Sequence, residues 1–291
     1  MMQKQSPANV KDTAGFIVNE IETFVRNSPL NRMPDNVEQV IFDEPLVHFA
    51  GGDDPVFTQY KTIIAPSHRT PREALAQAYN KKPGELPSTL SVISWILPVT
   101  QGTRKSNRNQ KTHPSLLWAY TRWYGEKLNE ALREYVVKPL TGKGNMAVAP
   151  GIGPFFKTER NEKGPYSNWS ERHIAYAAGL GTFSLSDGFI TEKGIAHRCG
   201  SVVTDLALPP SLRTANTAFS NCTYYLNDGC KACILRCPAG AITEAGHDKN
   251  QCFEYTSTQF AAMREELGFG NVGCGLCQTR VPCEFRNPVK R

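Results

Sequence analysis

Eight of the nine cysteines in this chain lie between residues 222 and 283, and they constrain its fold more than any other feature. The stretch "YLNDGCKACILRCPAGAI" places Cys230, Cys233 and Cys237 two and three residues apart, with Pro238 directly after. In a reducing compartment, thiols clustered in this way indicate metal ligation rather than disulfide bonds. We therefore expect the C-terminal part of the chain to fold around metal centres.

The spacing of these cysteines is typical of iron–sulfur ligands. Bacterial two-cluster ferredoxins carry C-x2-C-x2-C-x3-C-P, in which the fourth cysteine binds the other cluster. Cys230, Cys233 and Cys237 fit the last three places, whereas Asn227 stands in the first and Cys222 is the nearby substitute. Crossing the ligands with a second set predicts two [4Fe–4S] clusters, on a first quartet (Cys222, Cys230, Cys233, Cys283) and a second quartet (Cys237, Cys252, Cys274, Cys277).

Zinc is the alternative for these cysteines, since zinc also binds paired C-x2-C knuckles. The proline after Cys237, the three-residue gap before it and the count of eight thiols favour iron and sulfur. Cys199 is left over and receives no role, because a lone cysteine is usually a small buried hydrophobe.

The rest of the composition limits the classes of protein to which this chain could belong. The chain has 291 residues, of which 40% are hydrophobic, enough for one large domain or two ordinary ones. Its formal charge of +6 falls to about +2 once two oxidised clusters are counted, so charge alone is weak support for a nucleic-acid partner. No apolar run of roughly 18 residues and no export signal stand in the sequence, so we expect no membrane partner and a cytoplasmic location.

Residues 1–215 show strands alternating with helices, which predicts an α+β or α/β sheet domain, followed by a metal-binding domain over 216–291. Thr70 and Glu73 form a predicted capping box around Pro71. The predicted helices are 12–27, one beginning at Pro71, and 114–138, and the predicted strands are 45–50, 61–66, 91–99, 145–150, 187–191 and 200–205.

The stretch "SNWSERHIAYAAGLGTF" predicts a helix that ends in glycines. Asn168 and Glu171 fit a capping box, and Gly179 fits the position after the last helical turn. Gly181 allows another group to approach the backbone closely. Glycines between helix and strand ends suit a large flat ligand, and an ordinary helix-to-strand turn is the alternative.

The order "ERHIAYAAGLGTF", "GSVVTD" and the two cysteine sets resembles the epoxyqueuosine reductase family and, more distantly, the reductive dehalogenases. The resemblance covers roughly residues 145–291. It implies a nitroreductase-like α/β sandwich that holds cobalamin, followed by a ferredoxin-like module that passes electrons to the cobalt. It also implies the cofactor-binding residues Ala178, Gly179, Leu180, Gly181, Thr182, Gly200 and Ser201.

The sequence also departs from that family. Residues 182–187 replace the family's tryptophan and Gly-Lys-Asn/His-Thr stretch, and the acidic residue that protonates the substrate has no counterpart. The family's C-terminal helical region that holds tRNA has no counterpart after Cys283, so we expect tRNA to be an unlikely partner. The resemblance therefore implies the shared redox machinery without indicating either known substrate.

A reductive reaction needs a proton donor beside the substrate. Tyr166, Glu171, His173 and Tyr176 are the candidates, and we favour the two tyrosines. Three of these candidates also have an ordinary interpretation. In it, Glu171 is the capping-box partner, His173 is a surface residue and Tyr176 belongs to the core. Tyr166 follows a Gly-Pro pair in a predicted loop, where functional residues concentrate.

Two further groups of residues have both a functional and an ordinary interpretation. The predicted loop 101–113 carries Arg104, Lys105, Arg108 and Lys111, which could bind phosphate or simply be solvated. The second group is aromatic and is mostly expected to form the core face of a helix. A substrate pocket is the alternative for these residues, Trp118, Tyr120, Trp123 and Tyr124.

These observations predict an iron–sulfur oxidoreductase that takes electrons from a ferredoxin or flavodoxin and passes them through two clusters to cobalamin, for reduction of an unidentified substrate. One alternative is an electron-transfer protein that reduces a corrinoid or a partner protein and transforms no small molecule. Another keeps the fold and binds flavin in place of cobalamin.

Overall fold

The computed structural model describes residues 7–34, 36–227 and 229–290, which form a mixed helix and sheet protein as expected. The helices are α1 (Pro7–Asn27), α2 (Val56–Ile63), α3 (Pro71–Ala78), α4 (Gln101–Arg108), α5 (Leu116–Gly142), α6 (Glu171–Ala177), α7 (Thr223–Asn227), α8 (Ala232–Arg236), α9 (Lys249–Gln259) and α10 (Ala261–Leu267). The strands are β1 (Arg32–Met33), β2 (Asn36–Val40), β3 (Leu46–Gly51), β4 (Ser91–Pro98), β5 (Ala147–Val148), β6 (Thr158–Asn161), β7 (Gly164–Ser167), β8 (Gly181–Phe183), β9 (Phe189–Thr191), β10 (His197–Thr204), β11 (Ile242–Thr243) and β12 (Gly246–His247).

A four-stranded antiparallel sheet with the order β3-β4-β10-β5 forms the centre of the molecule. Every residue of β4 is buried, which explains its continuous apolar sequence. Successive side chains of a strand point to opposite faces. Accordingly, Trp95 and Leu97 enter one core and Val92 and Ile96 enter another.

Helices cover both faces of this sheet. On one face, α1 and α5 bury Ile21, Leu128 and Leu132 against the sheet. On the other face, α2, α3 and α6 contribute Tyr60, Leu75 and Ile174. The central part of the molecule is therefore a sandwich of helices, sheet and helices.

The C-terminal residues form two smaller cores. Leu185, Ile190 and Ile242 pack with cysteines of both quartets in one of them. In the other, Phe260 and Phe269 pack against α5, through Tyr120, Trp123 and Tyr124. Trp118 belongs to the large core beside α1. The aromatic face of α5 thus packs as predicted, partly against the C-terminal residues.

Helix α4 joins these two parts of the molecule, and the prediction of a loop over 101–113 was wrong for residues 101–108. Arg108 Nε donates to both carboxylate oxygens of Glu284, at 3.0 and 2.8 Å, and Arg104 lies 3.4 Å from the same carboxylate. Glu284 is 1% exposed. Two of the predicted phosphate-binding cations therefore hold an internal carboxylate.

Two other local predictions were also wrong. Residues 61–66 do not form a strand, because Val56, Phe57 and Tyr60 are buried at helical spacing and make 56–63 a helix. Asn168 does not cap α6, since its side chain accepts from Lys157 N at 2.9 Å and donates to Phe155 O at 2.8 Å. The capping box at Thr70 and Glu73 is confirmed.

Helix 12–27 is confirmed and begins at Pro7. Among the helices of residues 7–34, 36–227 and 229–290, none combines the length and apolar character required to cross a membrane. The domain boundary between residues 215 and 216 stays a prediction.

Candidate functional site

The largest candidate site is a cavity of about 780 Å³, called here the main cavity. It lies between α2, the β6–β7 hairpin, α6 and the segment 213–219. The side chains that shape its chemistry are Asp54, Tyr60, Tyr166, Arg172, His173, Tyr176, Phe183, Asp187, Arg213, Phe219 and Lys249. Both tyrosines favoured as proton donors, Tyr166 and Tyr176, line this cavity.

His173 and Tyr60 form a buried pair in the wall of the main cavity. The Tyr60 hydroxyl donates to the His173 carbonyl oxygen at 2.7 Å, and the two rings lie 5.0 Å apart. The His173 Nδ1 lies 2.8 Å from the Ser170 hydroxyl. Burial lowers the pKa of His173 to about 3 and raises that of Tyr60. The cavity therefore presents a neutral imidazole and a protonated phenol at neutral pH.

Charged side chains stand at the rim of the main cavity in pairs. Arg213 Nη1 lies 3.2 Å from Asp54 Oδ2, and its guanidinium covers the ring of Tyr176 at 5.5 Å. Lys249 lies 3.9 Å from Asp187. Arg213 and Asp54 could not be predicted from the sequence, because they are far apart in the chain and belong to no motif.

Tyr166 is tied to the β6 strand by its hydroxyl. Hydrogen bonds from Ser67 and Tyr166 lower the pKa of the exposed Glu159 carboxyl. The Ser67 hydroxyl donates to Glu159 Oε2 at 2.8 Å. Tyr166 therefore lines the cavity while its hydroxyl is shared with a solvent-exposed carboxylate.

Glu171 lies in the protein interior and does not share the main cavity with the tyrosines. Its Oε2 accepts a 2.6 Å hydrogen bond from Ser201, and its Oε1 accepts one of 3.1 Å from Arg133. The Arg133 side chain is 4% exposed. Both Glu171 oxygens thus have partners within the core, an arrangement that suits a structural ion pair.

The glycine turn lines a second cavity of about 420 Å³, called here the side cavity. Gly179, Leu180, Gly181 and Thr182 contribute to its wall, together with His48, Leu212 and Lys290. The segment 212–221 separates the side cavity from the main cavity, and Arg213 lines both. The residues of the glycine turn and the two tyrosines favoured as proton donors therefore face different cavities.

The close backbone approach expected at the glycines is present, and the approaching groups belong to this chain. Gly179 has a φ of +74°, and a Cβ there would stand 2.9 Å from the Leu212 carbonyl oxygen. A Cβ on Gly181 would stand 2.2 Å from the Ile190 carbonyl oxygen. Local packing is enough to require glycine at both positions, and the positive φ of Gly179 adds to that requirement.

The remaining candidate cofactor residues lie in the core. Ala178 is buried beneath the glycine turn. Gly200 lies against the Trp95 ring, where a Cβ would stand 2.5 Å from it. The buried Ser201 hydroxyl accepts a 3.0 Å hydrogen bond from Trp169 and donates to Glu171. These three residues support the wall rather than line either cavity.

The first quartet comes together around one small cavity. Cys222, Cys230, Cys233 and Cys283 all line it, with Ser184, Ser186 and Ile190 from the first part of the chain. Burial, together with the neighbouring thiols Cys222 and Cys230, raises the pKa of Cys233 to about 11. The thiols with irregular sequence spacing are therefore neighbours in space.

The thiols of the second quartet influence one another electrostatically. Burial raises the pKa of Cys277 well above its ordinary value, and Cys274, Cys252 and Cys237 add to that rise. Burial likewise raises the pKa of Cys274 to about 11. A Cβ on Gly275 would stand 2.0 Å from the Trp118 ring, so α5 packs directly on this cysteine loop.

The quartets do not form the compact cage that a single ion needs. Within the described ranges, no three His, Cys, Asp or Glu side chains are arranged to hold one metal ion. Cys199, the ninth cysteine, lies apart from both quartets, with its Sγ 3.6 Å from His197 Nδ1.

Comparisons with known proteins place this architecture in a class. No family model matches the chain. Among curated proteins, it is 28% identical to an epoxyqueuosine reductase of Bacillus cereus over 119 residues, which make up 39% of this chain and 29% of that protein. The residue-level resemblance to this family is therefore confirmed.

Solved structures share the fold at low identity. A selenomethionine-labelled epoxyqueuosine reductase has a TM-score of 0.55 and 15% identity, and the match covers 95% of this chain and 66% of that one. An epoxyqueuosine reductase with an epoxyqueuosine-modified tRNA-Tyr stem loop has a TM-score of 0.51 and 16% identity, with the same coverage. The catabolic reductive dehalogenase NpRdhA has a TM-score of 0.51 and 14% identity, covering 84% of this chain and 30% of its own.

The class defined by these matches is that of proteins with the fold shared by epoxyqueuosine reductases and reductive dehalogenases. Within it, this chain is similar in sequence to an epoxyqueuosine reductase and spans less than two thirds of the relatives' length. For this chain, the activity, cofactors and substrates of those relatives are proposals.

Proposed function

We propose that this chain is an iron–sulfur oxidoreductase, which passes electrons through two [4Fe–4S] clusters to a cobalamin and reduces a substrate in the main cavity. One observation carries the proposal. Ser184 and Ser186 line the cavity of the first quartet, and the same short loop supplies Phe183 and Asp187 to the main cavity. A cluster on the first quartet would therefore be next to the place where reduction occurs.

The donor set of both quartets fits four-iron clusters. Each quartet offers four thiols, which is the ligand number of such a cluster. The two quartets draw on both cysteine sets, with Cys237 and Cys283 exchanged between them, as in two-cluster ferredoxins. Buried thiols with raised pKa values must lose protons when they bind metal, so cluster assembly would release protons. This pairing supports a ferredoxin-like module after a nitroreductase-like sandwich.

The main cavity fits a large cofactor in size and character. Its volume of about 780 Å³ is at the upper end of ligand pockets, and Tyr60, Tyr176 and Phe183 give it aromatic walls. These side chains would hold cobalamin. When bound, cobalamin supplies a metal centre that accepts low-potential electrons.

The chain's own residues would position the substrate and hold its proton. Tyr176 stands inside the main cavity with its ring under the Arg213 guanidinium, so a substrate there would meet a phenol and a cation together. Tyr166 provides a second phenol at the same cavity. Glu171 serves as a structural anion in this proposal, because both its oxygens bond to Arg133 and Ser201.

The substrate class stays open between a small molecule and a modified nucleoside in RNA. A solved structure with this fold contains an epoxyqueuosine-modified tRNA stem loop, so tRNA is a candidate partner despite the expectation from the sequence. The rim cations Arg172, Lys163 and Arg213 would favour an anionic group near the opening of the cavity.

Anaerobic reconstitution with iron and sulfide, followed by titration with hydroxocobalamin, tests the proposal. We expect about eight irons per chain, cluster signals in the EPR spectrum after reduction, and an altered cobalt(II) signal from a stoichiometric complex. Absence of iron incorporation would contradict the whole proposal. Assembled clusters with cobalamin free in solution would contradict the cobalamin site and leave flavin binding or protein-to-protein electron transfer as the function.

A further inference from the structure

Leu235, on α8, is 87% exposed, the most of any large hydrophobic residue in the described ranges. Helix α8 contains Cys233 of the first quartet, and Cys237 of the second follows it directly. Leu235 borders an open depression of about 510 Å³, called here the basic depression. Its wall consists of Lys111, Ala232, Leu235, Arg236, Cys237, Pro238 and Arg280.

The charged side chains that line the basic depression are all positive. Lys111, Arg236 and Arg280 line the basic depression, and no carboxylate does. Arg236 is fixed, because its guanidinium donates to the carbonyl oxygens of Gln110 at 2.8 Å and Thr279 at 3.0 Å. The acid that faces this region, Glu284, is buried and bonded to Arg108. In the described ranges, no ion pair includes Lys111 or Arg280, which are both exposed.

We propose that the basic depression is where an acidic electron-carrier protein of ferredoxin or flavodoxin type docks and reduces the second quartet's cluster. This inference rests on the proposed function, since it requires a cluster on the second quartet. In each encounter, one electron leaves the reduced carrier and one oxidised cluster gains it, with no other reactant. The depression brings a cluster ligand, Cys237, to the contact surface itself.

A basic ring around one exposed apolar side chain suits a transient complex. Complementary charge accelerates encounter by about 10- to 1000-fold at low salt and adds little to lifetime. The exposed Leu235 supplies a small apolar centre for the contact. A partner with a negative surface, such as an acidic ferredoxin, fits these features, whereas a basic partner would be repelled.

The test measures how fast a reduced plant-type [2Fe–2S] ferredoxin reduces the reconstituted clusters in stopped flow at low ionic strength. We expect Lys111→Glu combined with Arg280→Gln to slow this reaction about tenfold or more, and the rate of the unchanged protein to fall as salt is added. Lys138→Glu combined with Lys143→Gln is the matched control, because it changes the net charge by the same amount at two exposed lysines. These lysines lie at the C-terminal end of α5, about 30 Å along the helix from its N-terminus.

A second reductant distinguishes failure of the docking surface from failure of the clusters. Photoreduced deazaflavin, a small uncharged donor, should reduce the clusters of all variants at one rate. Equal ferredoxin rates in every variant, with deazaflavin reduction intact, would overturn the docking surface and leave the proposed function standing. Failure of deazaflavin to reduce any cluster in the unchanged protein would overturn both.

Discussion

Ser201 on β10 donates a 2.6 Å hydrogen bond to Glu171, the first residue of α6, and so joins that helix to an inner strand of the central sheet. Arg133 of α5 approaches the other Glu171 oxygen at 3.1 Å. One carboxylate thus connects helices from both faces of the sandwich. The arrangement gives Glu171 a structural role that can be measured separately from catalysis.

We expect Arg133→Met to destabilise the protein by about 3 kcal/mol, because it leaves Glu171 buried without its cation. Adding Glu171→Gln should restore part of the loss, since the amide removes the unpaired charge and keeps a partner for Ser201. Denaturant unfolding of the two variants measures both effects. Equal stability of Arg133→Met and the unchanged protein would contradict the structural role.

Serine substitutions should divide the cysteines into two groups. Cys222→Ser and Cys283→Ser should each remove about four irons and the same EPR signal, although the two cysteines are 61 positions apart in sequence. Cys274→Ser should remove the other signal. Cys199→Ser is the control and should retain all the iron. If Cys283→Ser instead matched Cys274→Ser in its spectrum, the proposed crossing of ligands would be wrong.

Gly275→Ala should disturb the second cluster without touching a ligand. A Cβ at this position would stand 2.0 Å from the Trp118 ring, and its φ of +65° disfavours any other residue. We expect about half of the bound iron to be lost on purification. Gly270→Ala is the matched control, since its Cβ would make an ordinary 3.5 Å contact with Trp123. Similar iron content in both variants would show that α5 does not shape the cluster site.

Alanine at Gly179 should destabilise the fold even without a cofactor. The positive φ costs roughly 1–2 kcal/mol for a residue with a Cβ, and the Leu212 carbonyl oxygen lies in the way. Gly15→Ala in the exposed face of α1 should instead stabilise by about 0.5–1 kcal/mol. Thermal unfolding of the cofactor-free protein measures both. A Gly179→Ala variant that unfolds normally but fails to bind cobalamin would assign this glycine to the ligand.

Stability should fall as the pH drops from about 6.5 toward 4. Burial lowers the pKa of His173 to about 3 and the pKa values of His68 and His197 to about 4. A histidine whose folded-state pKa is below its unfolded value of about 6.5 stabilises the folded protein at pH values above 6.5. This stabilisation is lost as the pH falls. We expect each histidine to contribute roughly 1 kcal/mol less to the free energy of unfolding at pH 5.5 than at pH 7.

His173→Gln checks this pH dependence. Its unfolding free energy should change less between pH 7 and 5.5 than that of the unchanged protein. The same pH dependence in both proteins would exclude His173 as a contributor.

The sequence predicted what depends on local pattern. The long α5, the buried β4 and the capping box at Thr70 follow from apolar periodicity and short-range hydrogen bonds. The grouping of cysteines into quartets was predicted from spacing and is still to be tested. The resemblance to epoxyqueuosine reductases came from residues 171–183, residues 200–205 and the cysteines, and the matched relatives confirm it.

Long-range partners explain what the sequence could not predict. Helix α4 looked like a basic loop because its anion, Glu284, lies more than 170 residues away. Asn168 looked like a helix cap because its actual partners, Lys157 and Phe155, belong to another turn. The glycine turn and the tyrosines looked like one site, yet the segment 212–221 runs between them.

The bonds from α4 to Glu284 have a consequence for how electrons would travel. Asn107 and Arg108 on this helix bond to Thr279 and Glu284, which lie on either side of Cys283 in the sequence. A swinging motion of the cysteine-bearing part would expose a buried carboxylate and break these bonds together. These bonds therefore oppose hinge motion at this point. In the proposed function, the distance that an electron would cross is then set when the chain folds rather than adjusted during each turnover.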